Sequence, residues 1–268
     1  MVTTRGSDNR LTLSLDGRIA LITGAGRGIG RAVALHLADA GVDVALVARS
    51  LDELEEVADR VSERGQKAVV IQADLGQRDE ITRIVDQVHD GLGSVDVLVN
   101  NAAVVWPIGP SVKVDLDEWA AAMDINVRAV AALTFALLPD MIERGWGRVV
   151  NVSSGVVAYP SVMVGANAYA TSKAALEGHT LSLAAELAGT GVTVNAYRPG
   201  GVDTEMQAWI RGRDPEDIGS ELHGRFNQNF ESGTLLTPDA SARSLVDHLG
   251  RTTTGEIWDV SDAAGDGE

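Results

Sequence analysis

Ile19-Ala20-Leu21-Ile22-Thr23-Gly24-Ala25-Gly26-Arg27-Gly28-Ile29-Gly30 sets the reading of the whole chain. Its first four residues are apolar without polar alternation, which predicts a strand buried on both faces. Four glycines follow within seven positions, and then the helical pattern Arg31 to Ala40. Glycines at a strand-to-helix turn let the backbone approach a pyrophosphate, whose charge then rests on the helix N-terminus. A tight turn without ligand uses the same residues. The position after the first buried strand of an alternating series favours the phosphate, with Gly24, Arg27, Gly28, Ile29 and Gly30 as the expected contacts.

The pattern of that first unit recurs. Apolar runs rich in valine and isoleucine lie at Val42 to Ala48, Ala68 to Ala73, Val95 to Val99, Arg148 to Val152, Val192 to Ala196 and Glu256 to Val260, with helical stretches between them. Ser50 with Glu53 and Asp115 with Glu118 have capping-box spacing, and Thr237-Pro238 supplies an N-cap followed by proline at the first helical position. The alternation predicts one α/β domain over residues 1–268, a doubly wound parallel sheet of about seven strands with helices on both faces. Between Val202 and Leu236 the rhythm lapses into glycine, charge and isolated aromatics, longer than an ordinary connection, which predicts a lid. The polar ends, Met1 to Arg10 and Ala263 to Glu268, read as flexible tails.

Composition narrows the chemistry. With no cysteine, disulfides, thiolate nucleophiles and zinc-cysteine sites are excluded. Five scattered histidines (His36, His89, His179, His223, His248) contain no His-x-x-x-His pair, so no metal is expected. A net charge of -16 opposes binding to nucleic acid, which needs a basic face. No apolar run suggests a membrane helix, and Met1 to Arg10 lacks the core of a signal peptide, so a cytoplasmic protein is the expectation.

Two further constellations carry chemistry. At the end of the second long apolar run, Ala48 is neutral and Arg49 follows, where dinucleotide-binding folds often place an acid for the ribose. Arg49 and Arg27 together suit a 2′-phosphate, favouring NADP(H) with NAD(H) as the other possibility; alternatively these arginines pair with Asp52 or Glu53. Tyr169 and Lys173 stand one helical turn apart, a phenol beside an ammonium on one face. A nearby positive charge favours phenolate and moves a phenol toward the range of a general acid.

Tyr169, Lys173 and the glycine loop together resemble the short-chain dehydrogenase/reductase family, over about Leu15 to Val260. Further motifs fall in order: Asp74-Leu75, Asn100-Asn101-Ala102-Ala103, Asn126, Asn151-Val152-Ser153-Ser154, and Pro199-Gly200 with Val202 and Thr204. The resemblance implies a Rossmann-type fold and an NADP(H)-linked oxidoreductase that reduces a ketone to a secondary alcohol, reversibly. It implies Tyr169 as general acid or base, Lys173 lowering its pKa and holding ribose hydroxyls, Ser154 rather than Ser153 at the carbonyl oxygen, and Asn126 supporting a water leading from Lys173. Asp74, Leu75, Asn101, Ala102, Pro199, Gly200, Val202 and Thr204 are then cofactor contacts.

Departures are Ala103 in place of glycine, a long interval from Ser154 to Tyr169 carrying Tyr159 and Pro160, and Gly201, expected to loosen the lid hinge. Trp106, Val156, Val157, Tyr159, Met206 and Trp209 are expected to form an apolar substrate wall. The stretches Leu116 to Arg144 and Ala168 to Gly189 are rich in alanine and leucine, and in the resembled family the equivalent helices pack between subunits, which implies a homotetramer, or else a homodimer; alternatively the sheet consumes these apolar faces. Competing readings are an NAD(H)-linked alcohol dehydrogenase, a silent NADP-binding sensor, and an epimerase or dehydratase.

Overall fold

The computed structural model describes residues 2–3 and 12–263. A short antiparallel pair joins β1 (Val2–Thr3) to β2 (Thr12–Leu13). The rest is organised by a seven-stranded parallel sheet: β3 (Ile19–Thr23), β4 (Asp43–Ala48), β5 (Ala68–Gln72), β6 (Val97–Asn100), β7 (Gly147–Val152), β8 (Val192–Arg198) and β9 (Ile257–Asp259), in the order β5-β4-β3-β6-β7-β8-β9. The expected runs and the strands agree to within one or two residues. They do so because central strands covered on both faces must be apolar throughout: Val44 to Val47 and all of β7 are buried.

Helices cover both faces. α1 (Gly28–Asp39), α2 (Leu51–Ser62) and α10 (Pro238–Leu249) lie on one side, where Val33, Leu37, Leu54, Val57 and Leu245 meet Ile22, Leu46 and Val150. On the other side α3 (Glu80–Gly91), α5 (Ala129–Glu143) and α6 (Asn167–Glu186) bring Ile84, Val88, Leu133, Met141 and Leu183 against Leu21, Leu98 and Val149. Each such aliphatic side chain, fully removed from water, contributes roughly 1.5–3 kcal/mol.

α4 (Leu116–Met123) continues through a π-helical turn, Asp124–Arg128, into α5. The resulting path, Leu116–Glu143, is long and apolar enough by length and composition to cross a bilayer, contrary to the expectation that no such segment exists. That expectation looked for an uninterrupted run; Asp124, Arg128 and Asp140 punctuate this one without lowering its average much. Leu133, Leu137 and Met141 on its inner face pack into the sheet.

Three other expectations need correction. Ser50 is the N-cap of α2 with extended backbone, but its side chain makes no capping bond, and the reciprocal half of the box is also missing, since Glu53 turns to Arg27 instead of back to Ser50. Asp115 caps Asp117 and Glu118, and Thr237 caps Ala240, as the spacing predicts. The segment 202–236 is helical: α7 (Glu205–Arg211), α8 (Pro215–Ile218) and α9 (Ser220–Glu231). Gly201 does not loosen its base, since Leu236 N donates to Gly201 O at 2.8 Å and Asp203 N to Leu236 O at 2.9 Å. Of the expected tails, Val2–Thr3 is paired and Ala263 ends a 3₁₀ turn, Val260–Ala263; the remainder lies outside the described residues.

Candidate active site

After β5 the chain returns across the sheet to lay β6 beside β3, so the connections leaving β3 and β6 diverge. Such a switch point is where doubly wound sheets open a crevice at their C-terminal edge. Here it is a cleft of about 680 Å³.

One wall is the glycine loop between β3 and α1. Gly24 and Gly28 have φ of +65° and +55°, a region that favours glycine. At Gly30 a Cβ would lie 2.1 Å from the Gly24 carbonyl oxygen and 2.6 Å from Asn101 Nδ2, so no larger residue fits. Asn101 Nδ2 donates to Thr23 O at 2.9 Å and Gly24 O at 3.2 Å, while Thr23 Oγ1 accepts from the amides of Asn101 and Ala102, each at 3.0 Å. The two strand ends are thereby locked together. Arg27, the N-cap residue of α1, makes no side-chain capping bond, which leaves the first amides of a twelve-residue helix beside the cleft. A pyrophosphate fits this donor set: glycine backbone, uncapped amides and the positive end of a helix dipole.

The end of the cleft beside β4 and β5, where the adenine ribose is expected, is lined by Ala48, Arg49, Ser50, Asp74 and Leu75. Arg49 is exposed. Arg27 forms an ion pair with Glu53, Nη1 to Oε1 at 3.3 Å, so for Arg27 the pairing alternative is the one adopted. With both side chains well exposed, such a pair is weak and readily reopened. Asp74 Oδ1 accepts from Gly76 N at 3.0 Å, fixing the turn after β5.

Toward the other end, Ser154, Tyr169, Lys173, Asn101, Ala102, Pro199, Gly200, Val202 and Thr204 all line the same cleft. Ser154, which follows β7, is close enough to the buried Tyr169 phenol to influence it. Burial pushes the Tyr169 phenol up from its usual value, and the Ser154 hydroxyl opposes that shift. The expected lowering by the adjacent ammonium is therefore not the controlling influence. Lys173 is itself buried, which pushes it down to about 8; Nζ lies 5.6 Å from the Tyr169 ring centre and donates to Val152 O at 2.7 Å.

Asn126 sits apart from the cleft, wholly buried in the π-helical turn. Its Oδ1 accepts from Val104 N and its Nδ2 donates to Val104 O, both at 2.8 Å, and also to Ser172 Oγ at 3.0 Å. Both amide hydrogens and one lone pair of that side chain hold the loop after β6 against α6. Ser153 Oγ donates to Glu177 Oε1 at 2.7 Å.

Of the expected apolar wall, Trp106, Met206 and Trp209 line the cleft. Val156 is instead core, packed with Val157 in the cluster under the lid, and Tyr159 stands out on an exposed loop at 69% exposure. Two 3₁₀ turns, Gly155–Val157 and Pro160–Met163, use up the long Ser154–Tyr169 interval and turn Tyr159 outward. Val105, Met163, Ile210 and Phe226 line the cleft without having been singled out. The spacing Leu222, Phe226, Phe230 on α9 carried a helical signal that would have found one of them.

Residues 18–214 match the family model described as short chain dehydrogenase. The chain belongs to the short-chain dehydrogenase/reductase family. It is therefore an oxidoreductase with the family's fold. A short chain dehydrogenase from Pseudocercospora fijiensis is 45% identical over 196 residues, 72% of this chain and 62% of that longer protein. A 3-oxoacyl-[acyl-carrier-protein] reductase from Aquifex aeolicus is 32% identical over 94% of this dehydrogenase/reductase chain and 98% of its own. Among solved structures, a candidate NAD(P)-dependent gluconate 5-dehydrogenase from Beutenbergia cavernae, with bound NADP at low occupancy, superposes with a TM-score of 0.80. It is 33% identical, covering 92% of this chain and 96% of its own.

Proposed function

We propose that this short-chain dehydrogenase/reductase is an NADP(H)-dependent carbonyl reductase that interconverts a ketone and a secondary alcohol. The observation that carries the reading is that Ser154, Tyr169 and Lys173 share one cleft with the uncapped, glycine-lined N-terminus of α1. Gly24 to Gly30 and the α1 amides would hold the pyrophosphate, Asp74 and Leu75 the adenine end, and Pro199, Gly200, Val202 and Thr204 the nicotinamide end. When bound, the cofactor supplies the hydride.

Tyr169 holds the proton. As hydride reaches the carbonyl carbon, the phenol passes its proton to the carbonyl oxygen, and in the reverse direction the phenolate takes it from the alcohol. Burial favours the protonated phenol that reduction needs. Ser154 stabilises the oxygen as negative charge develops on it. Lys173, titrating near 8, stays mostly charged at neutral pH and favours the phenolate left behind. Asn126 acts by holding Val104 and Ser172 in place. Trp106, Met206 and Trp209 favour an apolar ketone.

Consumption of NADPH by a panel of aryl, alicyclic and aliphatic ketones tests the reading. Tyr169→Phe is expected to bind NADPH normally and to lose nearly all turnover; comparable turnover removes Tyr169 as the acid. A second reading, NAD(H)-linked alcohol oxidation, is favoured by Glu53, whose carboxylate stands on the cofactor wall and occupies Arg27.

A homotetramer, or failing that a homodimer, is supported by apolar side chains left exposed on the outer faces of α5 and α6: Phe135, Ile142 and Leu181. Light scattering that returns a monomer refutes it. We assign the enzyme to the cytoplasm, which cell fractionation checks.

A further inference from the structure

Glu177 lies one helical turn beyond Lys173 on α6 and is 5% exposed. Nothing in the proton-transfer scheme uses it, yet its carboxylate accepts three hydrogen bonds: Ser153 Oγ at 2.7 Å, Arg198 Nε at 2.9 Å and Arg198 Nη2 at 2.8 Å. The arginine pair is bidentate, the geometry in which guanidinium and carboxylate bind most directionally. Arg198 in turn is pushed above its usual range, chiefly by the hydrogen bonding it donates to Glu177.

Each member of the group is covalently next to a working segment. Ser153 precedes Ser154; Arg198, the last residue of β8, precedes Pro199-Gly200; Glu177 is on the helix that carries Tyr169 and Lys173. Two further bonds bind the same strand ends: Ser153 N donates to Tyr197 O at 2.7 Å, and Lys173 Nζ to Val152 O at 2.7 Å. A buried ion pair of this kind is poor evidence of stabilisation, because its desolvation offsets its attraction. What it does supply is direction. Ridged apolar packing tolerates small slips between a helix and two strand ends, whereas a forked charge pair with a hydroxyl on the same carboxylate does not.

We propose that Glu177 is a positioning residue, fixing the Ser154 hydroxyl and the Pro199-Gly200 loop relative to Tyr169 and Lys173. This rests on the carbonyl-reductase reading above. Removing the tie leaves the glycine loop and adenine end untouched and displaces only the nicotinamide end, so chemistry is disturbed more than cofactor binding.

Glu177→Asp is the informative variant: it keeps the charge but withdraws the carboxylate by about 1.5 Å, one carbon–carbon bond, so that it cannot span both partners. Because misplacement of reacting groups by about 1 Å can cost roughly a hundredfold, kcat is expected to fall by at least about tenfold, with a smaller rise in cofactor KM from the displaced Pro199-Gly200 loop. Arg198→Lys, which keeps the charge and loses the fork, should behave alike. If Glu177→Asp does not fold, Ser153→Ala, which leaves the ion pair in place, should still lower kcat by about threefold or more at unchanged cofactor KM. Wild-type kcat in a folded Glu177→Asp or Ser153→Ala variant, with only the melting temperature lowered, marks a structural role and overturns the proposal alone. A wild-type chain that turns over no carbonyl or alcohol with either nicotinamide cofactor overturns the functional reading and the positioning role with it.

Discussion

The buried Lys173 ammonium makes stability and turnover pull against each other, and the size of the conflict follows from its titration. In the fold it titrates near 8, against 10.5 for a free side chain. The folded state therefore binds the proton less well than the unfolded chain does. Below pH 8 the charged lysine handicaps folding in full, and the handicap fades as pH rises toward the unfolded value. At about 1.36 kcal/mol per tenfold in proton affinity, it amounts to about 3 kcal/mol near pH 7 and about 1.4 kcal/mol near pH 9.5.

Lys173→Met removes this titration while keeping most of the side-chain length, though it leaves Val152 O without its donor. Urea unfolding of the two proteins, both in the Tyr169→Phe background so that the phenol does not titrate, isolates the lysine. The lysine protein should gain about 2 kcal/mol on the methionine variant between about pH 7 and pH 9.5, at matched protein concentration. A difference that stays constant across that range, or moves the other way, refutes the claim that Lys173 is held charged against its burial.

Gly30→Ala should abolish binding of either nicotinamide cofactor, since its Cβ would meet the Gly24 carbonyl at 2.1 Å; isothermal titration reads this directly, and retained affinity contradicts the tight strand-to-helix turn. Arg49→Ala should weaken NADPH more than NADH, by roughly tenfold if one charged hydrogen bond of about 1.5 kcal/mol is lost. Equal losses for the two cofactors would remove the phosphate contact. In alcohol oxidation, the activity should rise with pH through the neutral range and beyond, because the raised Tyr169 phenol must lose its proton before it can act as base. A rate independent of pH there argues for another base.

The sheet was legible because burial on two faces leaves a mark in every residue of a strand such as Asp43–Ala48. The glycine loop was legible because Gly24 and Gly30 answer steric demands that other residues cannot meet. The first two helices of the segment 202–236 were not, as Glu205–Arg211 and Pro215–Ile218 span too few turns for periodicity to emerge. Side-chain partners were harder still. Arg27 had equally good local reasons to face a phosphate or Glu53, and Tyr159 lay in a stretch whose direction depends on two 3₁₀ turns. The Tyr169–Lys173 spacing gave the pair, but the influence of burial on both groups is a property of the helices and strands around them.

The segment that roofs the cleft starts and ends at the same place. Val202 pairs with Leu236, and Gly201, Asp203 and Leu236 exchange backbone hydrogen bonds, so the excursion between them is a purse drawn closed at its neck. With its ends already joined, lengthening or shortening its contents changes the closure entropy only slowly. The sheet need not register the change, whereas Tyr169 does, because it packs in one apolar cluster with Ile210, Ile218, Leu222 and Phe226. On the reading proposed above, the fold thus sets a proton-transfer centre at the ends of the parallel strands beside a segment whose ends are fixed and whose contents line the same cleft.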